Sequence, residues 1–307
     1  YPAYLKSKKN ILITTLGEAK NKLQKNDLII SYCIDKSNLF GVLISKSHVI
    51  HFKTSKTGEF SDLIKSYQSL ISKPLKSQEE LKKFKTISFN LYNKLFPTKK
   101  IKDLIKGKNI TLVPDITFEN IPFEALNTNK SSLNYLIEKT NISYAYSVSF
   151  LNSNKKINRQ STNVFSCYAP IKFNNNLTPL PFTKNEINYA NSLFKGASFT
   201  YNSASKKKFL EESLNSKIVH LATHASYSKS PTIYFSRDSL KLHELYTYKS
   251  NADLVVLSAC QTNLGEIKKG EGVLSLARGF FHSGANSVVS SLWNVNDNTS
   301  SFIMKYF

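Results

Sequence analysis

Among the three cysteines and six histidines of the 307-residue chain, Cys260 and His224, 36 positions apart (260 minus 224), have the types and the strand-end placement that nucleophilic catalysis at a carbonyl requires. A thiol attacks as its thiolate, and a neighbouring imidazole can take the proton at neutral pH. Each residue closes a run that reads as a buried β-strand, KIVHLATH over 217–224 and DLVVLSAC over 253–260. The second is continuously apolar, as expected where both faces of a sheet are covered. If the two strands are neighbours, the side chains emerge side by side at one carboxyl edge, where open α/β sheets place their sites. The residues after Cys260, QTNLGEIKKGEG, read as a loop forming one wall of a cleft.

The same residues have plainer readings. A strand-end cysteine can be a small buried hydrophobe, and a strand-end histidine a satisfied structural group. His220 shares a strand face with His224 by the period of two. Two histidines and a cysteine raise the question of zinc, but close Cys/His pairs with ligand spacing are missing from the sequence. His220 therefore reads as structural, and neither a metal nor another cofactor is expected. Cys33 and Cys167 fall within predicted strands and also read as structural.

The elements that must position these residues follow from periodicity. In the first half, 27–34 and 39–44 read as strands, 60–71 and 78–96 as helices, 109–113 as a strand ended by Pro114, and 142–151 as extended. From about 161 the pattern turns regular. Strands are expected at 163–169, 197–202, 217–224, 253–260 and 286–295. Helices are expected at 183–194, with Thr183 and Glu186 in capping-box spacing, at 205–214 behind the N-cap Ser205, at 272–284 ending on Gly284, and from Asp297 onward. Strands alternating with helices imply right-handed crossovers and a mostly parallel sheet.

Composition narrows the classes. The net charge is +21, from 42 Lys and Arg against 21 Asp and Glu, yet arginine occurs only at Arg159, Arg237 and Arg278. Nucleic-acid sites lean on arginine forks, so scattered lysine weakens the reading as a basic nucleic-acid-binding α/β domain, and no specific nucleic acid is expected. Three cysteines argue against a disulfide framework and for a reducing, cytoplasmic setting. No apolar run approaches the length of about 18 residues that a membrane span needs.

Four stretches resemble the CHAT proteases, relatives of caspases and separases: VPDITFENIPFEAL (113–126), YLIEKTNISYAYSVSFL (135–151), IVHLATHA (218–225), and LVVLSACQT with GEGVLSLARGFFHSGANSVVSSLWNVND (254–262, 270–297). The resemblance implies a caspase-like α/β fold with a mostly parallel central sheet flanked by helices, preceded by a smaller α+β subdomain of pseudo-protease type. Residues 1–26 are then a flanking segment, 27–155 the N-terminal subdomain, and 156–307 a catalytic subdomain cut short at its C-terminus. It also implies a bacterial protein of the type that carries tetratricopeptide repeats upstream, acting as a cysteine endopeptidase on a protein or peptide and regulated by those repeats or by a partner.

In the roles so implied, Cys260 attacks and His224 is the acid/base, with an oxyanion hole made by the backbone N–H groups of Cys260 and Ala225. The family has glycine where this chain has Ala225, which leaves open a catalytically weak or inactive module that only binds. Asp297 matches an acidic residue that in the similar separase segment faces a basic P1 side chain, and its plainer reading is an N-cap. Trp293 either lines the substrate groove or fills the core.

Overall fold

The computed structural model describes residues 13–55, 59–118, 120–174, 177–226, 230–258, 266–268 and 272–307; for 266–268 and 272–274 the backbone alone is described. Cys260 and the start of the loop after it lie outside the described residues. The chain forms two compact units, residues 1–155 and 156–307.

In the first unit, helix α1 (Leu16–Lys22) opens on a capping box between Thr15 and Glu18. Strands β1 (Asp27–Ile34), β2 (Asn38–Ile44), β3 (Val49–Ser55), β4 (Asn109–Val113) and β5 (Asn141–Tyr144) make a mixed sheet in the order β3-β2-β1-β4-β5. The first three strands pair antiparallel, whereas β4 is parallel to both β1 and β5. Helices α2 (Glu59–Ile71), α3 (Gln78–Leu95) and α4 (Lys99–Leu104) carry Phe60, Tyr67, Phe84, Leu91 and Ile101 into a core shared with Leu28, Ile30 and Tyr32. The unit closes with helix α5 (Val148–Lys155), where the sequence reads as extended. Ser147 explains the difference: its Oγ accepts from Phe150 N at 3.0 Å and its carbonyl from Leu151 N at 3.0 Å, which starts a helix.

The second unit is built on five parallel strands: β6 (Asn163–Ala169), β7 (Ala197–Thr200), β8 (Ser216–Ala222), β12 (Leu254–Ser258) and β15 (Ser287–Ser290), ordered β15-β12-β8-β6-β7. Between them lie the three-stranded antiparallel sheet of β9 (Ala225–Ser226), β10 (Thr232–Tyr234) and β11 (Ser239–Lys241), and the pair β13 (Glu266–Lys268) and β14 (Gly272–Leu274). Helices α6 (Thr183–Phe194), α7 (Lys206–Glu212), α8 (Leu242–Leu245), α9 (Leu276–Ser283) and α10 (Asp297–Tyr306) complete the unit.

Alternation along the strands sorts the core into two layers. Tyr168, Val219, Leu221, Val255 and Leu257 pack with Phe209, Leu242, Leu245, Leu276 and Phe280 of α7, α8 and α9. Phe165, Cys167, Ala169 and Ala222 pack with Ile187 of α6. Burial on both faces explains why β8 and β12 read as unbroken apolar runs.

Several boundaries are tighter than the apolar pattern suggests. Strand β8 stops at Ala222 and β15 at Ser290, and α9 starts only at Leu276 behind the N-cap Ser275. Gly284 ends α9 with φ of 114°, as its place in the sequence implies. Ser205 caps α7 by accepting from Lys208 N at 3.2 Å. The capping box expected at Thr183 and Glu186 does not form: Thr183 Oγ1 donates to Leu180 O at 2.6 Å, and Glu186 is turned into the interior.

Gly196 joins α6 to β7 where the chain presses against β6. A Cβ there would lie 2.0 Å from the carbonyl oxygen of Phe165, so the backbone itself would have to move. Gly196→Ala is expected to cost about 1–3 kcal/mol, read as a lower denaturant midpoint with an unchanged slope.

Candidate active site

Strand β8 sits beside β12, and their register pairs Leu221 with Leu257 and Ala222 with Ser258. This offset is 36 (258 minus 222), the same as the separation between His224 and Cys260. In the sequence, His224 and Cys260 each follow by two positions the last pair described, Ala222 and Ser258, and Cys260 itself lies outside the described residues. Strand β15 runs parallel to β12 on its other side, so Trp293 and Asp297 also follow a strand end at this carboxyl edge.

His224 is held by backbone. Its Nε2 lies 2.7 Å from Thr178 O, and its ring centroid is 4.9 Å from that of Phe173. A carbonyl only accepts, so Nε2 carries the hydrogen and Nδ1 keeps a lone pair available to take a proton in the neutral ring. His224 O in turn accepts from Tyr234 N at 3.0 Å, which fixes the chain immediately past β8. Thr223 Oγ1 donates to Tyr234 O on the same hairpin.

Ala225 stands opposite Ile233 across β9 and β10. The Tyr234-to-His224 bond makes this the non-hydrogen-bonded kind of antiparallel pair, so the N–H of Ala225 points away from β10. Ala225 is not among the described residues with positive φ, so the backbone does not require glycine here.

Asp297 is half-buried, and Oδ2 accepts from Phe182 N at 3.0 Å. The N-cap of α10 is not Asp297 but Asn296, whose Oδ1 accepts from Asn298 N at 3.0 Å and Thr299 N at 3.3 Å. The carboxyl of Asp297 is raised from its ordinary value. Burial is the main cause, opposed by the Phe182 N–H; Glu186 adds to the rise and His224 opposes it. Trp293 is half-buried in a bend beyond β15 rather than in the core.

Beneath the edge, His220 and Glu186 are both buried, with Nε2 and Oε1 2.6 Å apart. The other carboxylate oxygen, Glu186 Oε2, is buried with no hydrogen-bond partner among the described residues. The period of two puts His220 on the strand face it shares with His224, but nothing in the sequence pairs it with Glu186. Thr178 and Phe173 are likewise invisible to motif reading, since a carbonyl oxygen can come from any residue.

The two other cysteines differ in surroundings. Cys167 is buried on β6 with Sγ 3.0 Å from Ser198 Oγ, and burial pushes its thiol up to about 11, which leaves it protonated at neutral pH. Cys33 is exposed on β1 in the other unit. Among the described residues no helix is long and apolar enough to cross a membrane.

A family model described as the CHAT domain matches residues 85–307. The chain belongs to that family. No curated protein matches the chain. Among solved structures, the separase–securin complex of Saccharomyces cerevisiae is similar, with a TM-score of 0.55, 12% identity and 92% of this chain covered. The chain spans only 27% of the separase chain. This likeness supports the fold: a mixed α/β architecture with a helix-flanked parallel sheet, similar to the caspase-like fold of separase, a clan CD protein.

The charge on Asp297 opposes stability at neutral pH. Its carboxyl titrates higher in the folded chain than when unfolded, so its contribution is most favourable below the unfolded value and is lost as pH rises through the folded value. Asp297→Asn keeps an acceptor for Phe182 N and removes the charge. It is expected to unfold at a higher denaturant concentration than the parent at neutral pH, with the gain vanishing below the ordinary carboxylate range. Paired denaturation curves at the two pH values check this.

Proposed function

We propose that the chain is a caspase-like cysteine endopeptidase acting on a protein or peptide through Cys260 and His224. The observation that carries this reading is the parallel register of β8 and β12, whose offset equals the His224–Cys260 spacing. The hydrogen bond from His224 Nε2 to Thr178 O adds to it by leaving Nδ1 as the basic atom.

In this mechanism the Cys260 thiol gives its proton to His224 Nδ1, and the thiolate attacks the scissile carbonyl carbon. The oxyanion is received by the N–H groups of Ala225 and Cys260. The C–N bond then breaks as His224 returns the proton to the leaving amine. Water, deprotonated by His224, hydrolyses the thioester and frees the thiol. Asp297 is the acidic residue offered to an Arg or Lys side chain at P1, with Trp293 beside the groove.

Residues 27–155 are the N-terminal subdomain and 156–307 the catalytic one. Control by helical repeats or a protein partner fits the presence of securin in the separase complex, and the cytoplasm is the proposed compartment. The alternative of an inactive binding module rests on Ala225, where a methyl needs no left-handed backbone.

The test is peptide cleavage and Cys260 alkylation across three variants. Cys260→Ala is expected to abolish cleavage while retaining the fold, and cleavage at the parental rate would remove the assignment. His224→Ala should slow alkylation of Cys260 at neutral pH by roughly 10²-fold or more, the scale of a lost general base; an unchanged rate would separate the two residues. Asp297→Ala should lose any preference for Arg or Lys at P1, and a retained preference would assign specificity elsewhere.

A further inference from the structure

Glu186 of α6 and His220 of β8 bury two titratable side chains, His220 four positions before His224. Glu186 is 3% exposed and His220 5%. Their one bond leaves Glu186 Oε2 unpartnered in the interior. A buried ion-capable pair is poor value for stability, since apolar residues of similar size usually serve as well. An orphaned buried oxygen makes it poorer still.

The pair sits at a junction in the bonding around the site. Glu186 lies in the first turn of α6, and its backbone N–H donates to Phe182 O at 3.2 Å. Phe182 N donates to Asp297 at 3.0 Å, and Phe182 O also accepts from Ser301 Oγ of α10 at 3.1 Å. Four residues earlier, Thr178 O receives the hydrogen of His224 Nε2. Between these points, Leu180 N is tied to Ile171 O at 2.9 Å and Thr183 Oγ1 to Leu180 O. The segment 178–186 thus touches both His224 and Asp297, and Glu186 is the side chain that fastens it to the central strand, four positions before His224.

We propose that the Glu186–His220 pair is a positioning clamp: it anchors segment 178–186 to β8 so that Thr178 O sets the tautomer of His224 and Phe182 N sets the direction of Asp297. Neither side chain acts on substrate. The consequence for catalysis rests on the reading of His224 as the base, whereas the consequence for its tautomer does not.

The experiment therefore reads the tautomer directly. The chain, labelled with ¹⁵N-histidine, is compared with Glu186→Gln and with the double variant Glu186→Leu/His220→Leu by two-dimensional NMR of the imidazole nitrogens. The double variant removes both buried polar groups together and so restores stability if one is lost in the single variant. The clamp predicts a parental His224 carrying its hydrogen on Nε2. In the double variant it predicts a stable fold in which His224 exchanges between tautomers and Cys260 alkylation is slowed roughly ten- to hundredfold, the scale of a small misplacement of a catalytic group. A stable double variant with the parental His224 signals would overturn the clamp and reduce the pair to core filling. If Cys260 proves unreactive in the parent while the signals still move between variants, the clamp stands and the protease reading falls.

Discussion

The hydrogen-bonded ladder between β8 and β12 is the constraint from which the candidate site follows. Parallel strands can pair in any register that sequence allows, but here both faces of both strands are buried. A slip of one residue would turn Val219 and Leu221 toward α6 and bring His220 into the apolar layer of Phe209 and Phe280. Burying an imidazole there without a partner is costly, and the slipped ladder would bring no gain to offset it. The register is therefore fixed by the core, and the core sets which residues follow one another across the carboxyl edge.

What happens past the strand ends depends on different forces. Main-chain carbonyls and N–H groups do most of the holding: Thr178 O on His224, Phe182 N on Asp297 and Tyr234 N on His224 O. Backbone groups are effective orienters because they are themselves fixed by secondary structure and cannot rotate away. The charged groups pull the other way. The raised carboxyl of Asp297 and the orphaned oxygen of Glu186 are both places where the fold holds charge or polarity that a more stable protein would discard. Such costs concentrate where function requires them.

Much of this was legible from residue order. The parallel sheet, the strand-end position of His224, the cap of α7 by Ser205 and the end of α9 at Gly284 follow from apolar periodicity and from residues with strong local preferences. Other features escaped for physical reasons. Strand β3 is half-exposed, with polar residues interrupting its apolar pattern, and α5 is started by one serine inside a sequence with extended character. Glu186 satisfies the spacing rule for a capping box but lies on the buried side of α6, where His220 offers a better partner than an exposed N–H. Asp297 occupies a helix start, yet Asn296 one residue earlier caps it, because the neighbouring α6 segment offers Asp297 the N–H of Phe182 instead. These are tertiary choices between two locally acceptable bonds, and local sequence does not decide them.

The central claim is that His224 activates Cys260 within a cleft that reads the adjoining side chain of a peptide. Covalent labelling tests it most directly: the folded chain is treated with peptidyl electrophiles ending in Arg, Leu or Asp, and the modified residue is located by mass spectrometry. The account predicts modification of Cys260, fastest with the Arg-ending reagent, while Cys33 and Cys167 remain unlabelled. A folded protein in which no reagent marks Cys260, or in which Cys33 reacts faster, would contradict it.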